Sequence, residues 1–284
     1  MNLPVPRWRH LPAVLGLLLA ATVLWHLYAW GIRDAVWAPD ADACRALSHQ
    51  GACWGVVAEK AWPMLMGHPA DTGLSGLPLT LALFAGSLLA SWPLGLGLAL
   101  ARHSGPVWLK VPAVACIEVI RGVPLVTLLF MAAFMLPLVL PEAWQLDLGW
   151  RAGIALTLFS AVYLAEVLRG GLQTVPAEQT EAAAILGLSW PGIQRRIVLP
   201  QAVRAVLPAL TSHAIGLLKD SSLVMVIGLH ELTGGLSLSL GGDPEWRPYY
   251  FEAYLFVGLV YALMCWGLSA LGRGLEKRWM AGAH

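Results

Sequence analysis

Glu118, Arg121, Glu166, Lys219 and Asp220 are charged side chains that stand inside otherwise apolar stretches of this chain. Glu118 and Arg121 are three residues apart, a separation that brings side chains together on one helix face. They read either as a structural ion pair at a helix end or as a contact for a passing solute. Glu166 has Arg169 three residues on and reads in the same two ways. It is either a paired carboxylate or an acceptor for an amino group or cationic side chain. Lys219 and Asp220 are adjacent, so on a regular helix they face different ways and neutralise each other poorly. Ser221 and Ser222 follow at once. The cluster marks a local break, a cavity lining or a subunit interface, or else a purely structural network. No nucleophile–base constellation is visible. His213 is the only histidine in the core of an apolar run, and no histidine stands at a useful spacing from Asp220, Ser221 or Ser222. The histidines are scattered, and nothing has metal-ligand spacing. A Gly-x-x-x-x-Gly-Lys-Ser/Thr phosphate loop is missing: Gly170-Gly171, Gly234-Gly235 and Gly241-Gly242 lack the lysine. The chemistry on offer is therefore non-covalent.

The elements that must position these groups are six apolar runs, about 11–31, 77–101, 111–140, 152–168, 202–229 and 251–271. A membrane-crossing helix needs roughly 20 mostly apolar residues. Of the 284 residues, 58% are hydrophobic and only 12% charged, against about 25% charged in a soluble domain. That composition excludes a nucleic-acid binder, a disordered scaffold, a collagen-like fibre and a disulfide-dense secreted module. It points to a polytopic all-α membrane protein. Six spans put both termini on one side. Arg7, Arg9, Arg102, Lys110, Arg169, Arg195, Arg196, Arg204, Arg273, Lys277 and Arg278 fall on that side, and Arg33, Arg45, Lys60, Arg151 and Arg247 on the other. The excess of basic residues on cytoplasmic loops makes both termini cytoplasmic. The first run also resembles a secretory signal, but Trp25, Tyr28 and Trp30 stand where small cleavage-site residues belong, so it reads as a retained span. Trp92, Trp108, Trp144, Trp150, Trp246, Trp266 and the run Tyr249-Tyr250-Phe251 fall mostly near span ends, as an interfacial belt requires. Cys44 and Cys53 lie in the outer loop 32–76, either joined in an oxidising compartment or as two free thiols. Cys116 and Cys265 read as packing residues.

The stretch 169–200 is too long for a plain connection and carries its own helix signals. Pro176 suits a first turn. Glu178 and Glu181 favour the positive end of a helix dipole, and Ala182, Ala183 and Ala184 are strong helix formers. Gly187 fits a left-handed cap. A second short helix starts near Ser189 and Pro191 and stops at Pro200. The hairpin is either an interfacial link between spans or a docking surface for a partner.

Glu181-Ala182-Ala183, Gly187 and Ile197-Val198-Leu199-Pro200 resemble the EAA signature of ABC-importer permeases, with its spacing. The resemblance runs from about residue 77 onward. It includes Glu118-Val-Ile-Arg121-Gly-Val-Pro124-Leu125, Tyr163-Leu-Ala-Glu166-Val-Leu-Arg169-Gly170-Gly171 and Leu217-Leu-Lys219-Asp220-Ser221-Ser222-Leu223. The chain is similar to permeases for polar and general L-amino acids, the histidine and glutamine permease family. It departs from their common five-span core by an added first span and a long outer loop. The resemblance implies a division into an N-terminal span (1–31), a periplasmic loop (32–76) and a permease domain (77–284) with a coupling segment (170–200). It implies residence in a bacterial inner membrane and import of L-amino acids from periplasm to cytoplasm. It also implies a cytoplasmic ATPase dimer that binds ATP and Mg, a periplasmic amino-acid-binding protein, and a second permease, unlike rather than identical. The chain itself then carries no cofactor and no ATPase site. Glu181, Ala182, Ala183 and Gly187 would couple to the ATPase. A zwitterionic substrate needs an acceptor for its ammonium and donors for its carboxylate. Glu166, Arg121, Lys219, Asp220, Ser221 and Ser222 are the candidates for its path. The competing classes are an ion-driven secondary transporter, which would show internal repeats, and an integral membrane enzyme.

Overall fold

The structure is a computed structural model that describes residues 11–46, 51–67, 73–142 and 145–281. Arg7, Arg9 and Trp144 lie outside the described residues. The elements in chain order are α1 (Leu11–Tyr28), α2 (Ala41–Ala46), α3 (Gly55–Met66), α4 (Gly76–Ser104), α5 (Val107–Gly122), α6 (Leu125–Phe130) and α7 (Leu136–Val139). They continue as α8 (Leu148–Leu172), α9 (Ala177–Ile185), α10 (Trp190–Ile193), α11 (Leu199–Ala205), α12 (Leu207–Asp220), α13 (Leu232–Gly241) and α14 (Tyr250–Ala281). Among the described residues, five helical stretches are long and apolar enough to cross a membrane: Pro12–Arg33, Gly76–Ser104, Leu148–Leu172, Leu207–Ile227 and Arg247–Trp279. The fold is all-α and multi-pass.

The third apolar run is not one straight span. It divides into α5 and the stretch Leu125–Val139, which meet at 101°. The cause is local: Pro124 forces Val123 out of the helical region, and Val123 is extended (φ −101°, ψ 129°). The fifth run is also divided. Val206 leaves helical geometry between α11 and α12, and the chain tightens into a 3₁₀ stretch over Ser221–Ile227. Pro200 does not stop a helix. A wide π turn over Gln194–Val198 leads into α11, and Pro200 sits in the first turn of α11, where its missing N–H leaves no bond unmade.

The chain forms two compact units. The smaller comprises residues 1–62 and 239–256. The expected loop is folded here. Cys44 and Cys53 are disulfide-bonded with Cα atoms 5.6 Å apart, and Val36 forms a β-bridge to Cys53. The backbone N–H of Cys53 donates to the buried carboxylate of Glu252 at 3.1 Å. Trp54 donates through Nε1 to the Gly31 carbonyl at 2.7 Å, and Trp30 packs edge-on against Trp54 and Phe251. Lys60 bridges Glu59 at 2.9 Å and Asp243 at 2.7 Å.

The larger unit, 63–238 and 257–284, is organised on α4 and α8. Ser87, Ser91, Gly95 and Ala99 repeat every four residues along α4 and are all buried. Small side chains at that spacing let two membrane helices approach closely. A Cβ on Gly95 would stand 2.9 Å from the Ala161 carbonyl oxygen. The hydroxyl of Ser160 lies 3.0 Å from Ser91 Oγ and 2.9 Å from Nε2 of His213, so a polar string ties α4, α8 and α12.

Candidate functional site

Three features of the larger unit hold groups that can interact with a solute or partner. The first is a charged cluster where α4, α5 and α8 meet. Glu166 lies 3.0 Å from Arg169, 3.2 Å from Arg102 and 3.6 Å from Arg121. Arg102 also reaches Glu118 at 2.9 Å. The expected Glu118–Arg121 pair on one helix face is not what forms. Arg121 turns to Glu166 and lies over the ring of Tyr163 at 5.5 Å, and Glu118 takes Arg102 from the preceding helix. Charges on neighbouring helices offer partly desolvated partners, and this outcompetes a local pair worth only ~0.2–0.5 kcal/mol. The Glu166–Arg169 pair does form. Three guanidiniums face two carboxylates, so the cluster is cationic, and Arg121 is its most accessible arginine at 39% side-chain exposure.

The Lys219–Ser222 cluster marks a break in helix type. Ser221 and Ser222 donate to the carbonyls of Leu218 and Lys219, each at 2.7 Å. Both hydroxyls are thus spent on the last turn of α12, a common use of serine at a helix end. Among the described residues no hydrogen bond or ion pair joins this cluster to Glu166. The structure does not bring the six pathway candidates into one constellation.

The second feature is the hairpin that begins at Pro176. In α9, Ala183 is 2% exposed and packs into the core with Ile193, Val198 and Ala202. Glu181, Ala182 and Gly187 are exposed. The helix closes as a Schellman motif: Leu188 N–H donates to Ala183 at 3.2 Å and Gly187 N–H to Ala184 at 3.0 Å. Gly187 is in the left-handed region at φ 81°, as its position in the sequence implies. Just before it, Ile185 and Leu186 are 86% and 82% exposed. A side-chain bond from Gln201 to Gln179 at 2.6 Å ties α9 to α11.

The third feature was not anticipated from sequence. Glu231 is fully buried and accepts hydrogen bonds from the backbone N–H groups of Thr233 (2.8 Å) and Gly234 (3.0 Å). It also accepts from the hydroxyls of Thr80 (3.2 Å) and Tyr261 (2.7 Å). It caps α13 and joins it to α4 and α14. The available signal was an acid directly before the apolar segment Leu232–Gly241, which is too short to span a membrane but suits a capped helix.

Residues 91–280 match the family described as binding-protein-dependent transport system inner membrane component. The chain belongs to this family. Its relatives include the inner membrane amino-acid ABC transporter permease protein YhdY of Escherichia coli (strain K12). That protein is 36% identical over 97% of this chain and 73% of its own length. The glutamate/glutamine/aspartate/asparagine transport system permease protein BztC of Rhodobacter capsulatus is 39% identical over 78% of this chain. The match spans about half of that relative, 51%. A solved amino acid ABC transporter, crystallised with histidines, aligns at 30% identity and TM-score 0.65 over 78% of this chain and 97% of its own. The methionine ABC transporter MetNI, at 20% identity and TM-score 0.56, shares the fold. As an inner membrane component, the chain is a transport subunit rather than an enzyme.

Proposed function

We propose that this chain is the permease subunit of an ATP-driven importer of L-amino acids, coupled to a separate ATPase through the segment Glu181–Gly187. The observation that carries the coupling is the hairpin. Its base is fixed in the core through Ala183, while its tip presents Ile185 and Leu186 to the surroundings beside a rigid glycine turn. Two bulky aliphatic side chains on a polar-facing hairpin are what a partner groove would cover. ATP and Mg²⁺ belong to an ATPase dimer on the cytoplasmic side, where both termini of this chain also lie. A periplasmic binding protein delivers the amino acid to the other face. A second, unlike permease completes the pathway.

Within the pathway, the geometry changes the expected chemistry of the cluster. Glu166 is already held by arginines, so a substrate meets guanidinium groups rather than a free carboxylate. On this reading Arg121, the most exposed arginine of the cluster, takes the substrate's carboxylate. Lys219, exposed at the end of α12, is a second cation on this path. Co-purification tests the reading: an ATPase subunit accompanies the wild-type chain, and Gly187→Asp leaves the protein inserted while uptake is uncoupled from ATP hydrolysis. Normal uptake by that variant removes the coupling role. Uptake by the chain alone, without ATPase, establishes an ion-driven carrier instead.

A further inference from the structure

A file of polar groups runs between the spans of the larger unit and ends on His213. Ser91 donates its hydroxyl to the Leu88 carbonyl at 2.8 Å. A hydroxyl has a single proton, so towards Ser160, 3.0 Å away, Ser91 only accepts. Ser160 has then used its own proton, and towards Nε2 of His213, 2.9 Å away, it only accepts as well. The file therefore fixes the imidazole. The neutral ring carries its proton on Nε2, and Nδ1 is a bare acceptor. Ser91 and Ser160 are buried and hold the ring in this state. Nδ1 makes no hydrogen bond among the described residues, and it is not closed off from the surface of the unit.

Two further observations bear on what Nδ1 meets. Gly216 and Asp220 follow His213 at three and seven residues along α12, which puts them on the same side of the helix. A Cβ on Gly216 would meet nothing within 4 Å, so there is open space beside the ring. Asp220 has no ion pair or side-chain hydrogen bond among the described residues, and its carboxylate also reaches the surface. Polar and ionisable groups within a span face a partner or a water-filled cavity rather than lipid. Both unmet groups on this side of α12 are acceptors. A donor that carries positive charge satisfies both, and an ammonium group is such a donor.

We infer that Nδ1 of His213 receives the ammonium group of the transported solute, with Asp220 as a second station about 10 Å further along α12. The inference rests on the function proposed above, because that reading makes an amino acid the solute. It supplies the acceptor that Glu166, held by arginines, does not offer. Ser160 and Ser91 are positioning residues that act through the ring. Without them the proton is free to move to Nδ1, and the acceptor is lost. A solute that lacks an ammonium group finds no partner here.

The test uses the complete assembly in lipid. The histidine ring nitrogens are isotope-labelled and read by NMR, and His213 is identified by the signals that His213→Gln removes. The expected spectrum has a protonated Nε2 and a bare Nδ1, with Nδ1 shifted by an equimolar pool of L-amino acids and unmoved by propionate, which has no ammonium group. In proteoliposomes supplied with loaded binding protein, uptake per ATP hydrolysed should fall several-fold in His213→Leu. It should recover largely in His213→Gln, whose amide offers both a donor to Ser160 and an acceptor. Ser160→Ala should give a smaller loss together with a ring proton shared between both nitrogens, a signature that a merely structural serine would not produce. Should His213→Leu fail to assemble, the Nδ1 response of wild type and the Ser160→Ala ratio decide the matter. A wild-type ratio in His213→Leu, or an Nδ1 signal indifferent to the pool, overturns the inference and leaves the functional reading standing. Loss of the second permease from His213→Leu, with Nδ1 of wild type indifferent to the pool, gives this side of α12 to the seam between permeases and also overturns it. An assembly without ATPase or binding-protein response removes the functional reading and the inference together.

Discussion

Glu166 has contacts to Arg102, Arg121 and Arg169, and this fixes what it can do. A partly buried carboxylate shared by cations from three helices is a structural hub. Glu166→Gln leaves Arg121 and Arg169 short of an anion, while Arg102 keeps Glu118. The expected cost is roughly 1.5–3 kcal/mol, the scale of hydrogen bonds to charged groups, read as a lower thermal unfolding temperature of the chain in nanodiscs. Arg121→Ala should behave differently, since Arg102 and Arg169 still hold Glu166. There the expected change is a raised KM for uptake with unfolding little altered. Equal destabilisation by both substitutions would make Arg121 purely structural. Gly187 is a second residue whose role is conformational. A Cβ there meets nothing within 4 Å, so the strain of substitution is only that of the left-handed backbone, about 1–2 kcal/mol. Gly187→Asn is expected to retain coupling better than Gly187→Ala, because asparagine tolerates that region. Hydrolysis-to-uptake ratios in the two variants check this.

At the scale of elements, the contact of α4 with α8 depends on small residues rather than on charge. Gly95→Leu places a bulky side chain against the Ala161 carbonyl and Leu164. Overpacking of this kind costs typically about 1–3 kcal/mol, and the same change at Gly97, where a Cβ meets nothing within 4 Å, serves as the control. Thermal unfolding in nanodiscs distinguishes them. In the smaller unit, α3 is held by the Lys60–Asp243 bridge. The hydrogen bond from Lys60 holds the Asp243 carboxyl below its ordinary value of 3.8. Burial pulls the Lys60 ammonium down, but its hydrogen bonds to Asp243 and Glu59 outweigh this and leave it above 10.5. The depressed carboxylate stabilises the fold fully above the ordinary carboxylate range and stops doing so as pH falls through its lowered value. The raised ammonium contributes fully below its ordinary value and is lost as pH rises through the higher one. The protection factors of the amides of residues 239–250, observed exchange corrected for the intrinsic rate at each pH, should therefore be flat from mildly acidic to alkaline pH and fall in strong acid. Asp243→Asn should exchange faster at neutral pH and lose the acid step. An unchanged profile in that variant would show the bridge to be incidental.

At the scale of the whole molecule, what could be read from the chain depended on the range of the interaction. The positions of five of the six apolar runs as spanning helices follow from composition, because lipid demands about 20 apolar residues whatever surrounds them, whereas the third run breaks into two helices at 101°. The shape of α9 and its turn were legible because helix formers, first-turn acids and a left-handed glycine act within a few residues of each other. Pro200 was misread for the complementary reason. A proline ends a helix by local sterics, but the π turn before it is set by how Gln194 and Val198 pack into the core. The bend at Val123 was written in Gly122-Val123-Pro124 and was obscured by the continuous hydropathy of the run. Of the ion pairs in the cluster, only Glu166–Arg169 was legible, because it is local to one helix. Sequence spacing ranks neighbours on one helix, and the choice of Arg102 over Arg121 for Glu118 is made between helices. Glu231 was missed because Thr80 and Tyr261 are far from it along the chain.

The sequence by itself determined that the chain is a multi-pass all-α membrane protein with a glycine-capped hairpin after Pro176. Those properties rest on local propensity and on transfer of side chains to lipid, which need no knowledge of neighbours. Only the tertiary structure decided which charges pair between helices, that the serines after Asp220 serve their own backbone, and that the Oε1 of buried Gln194 is left without a hydrogen-bond partner. Partner choice for a polar group in a poorly solvated interior is settled by proximity in space, and the fold alone supplies that proximity.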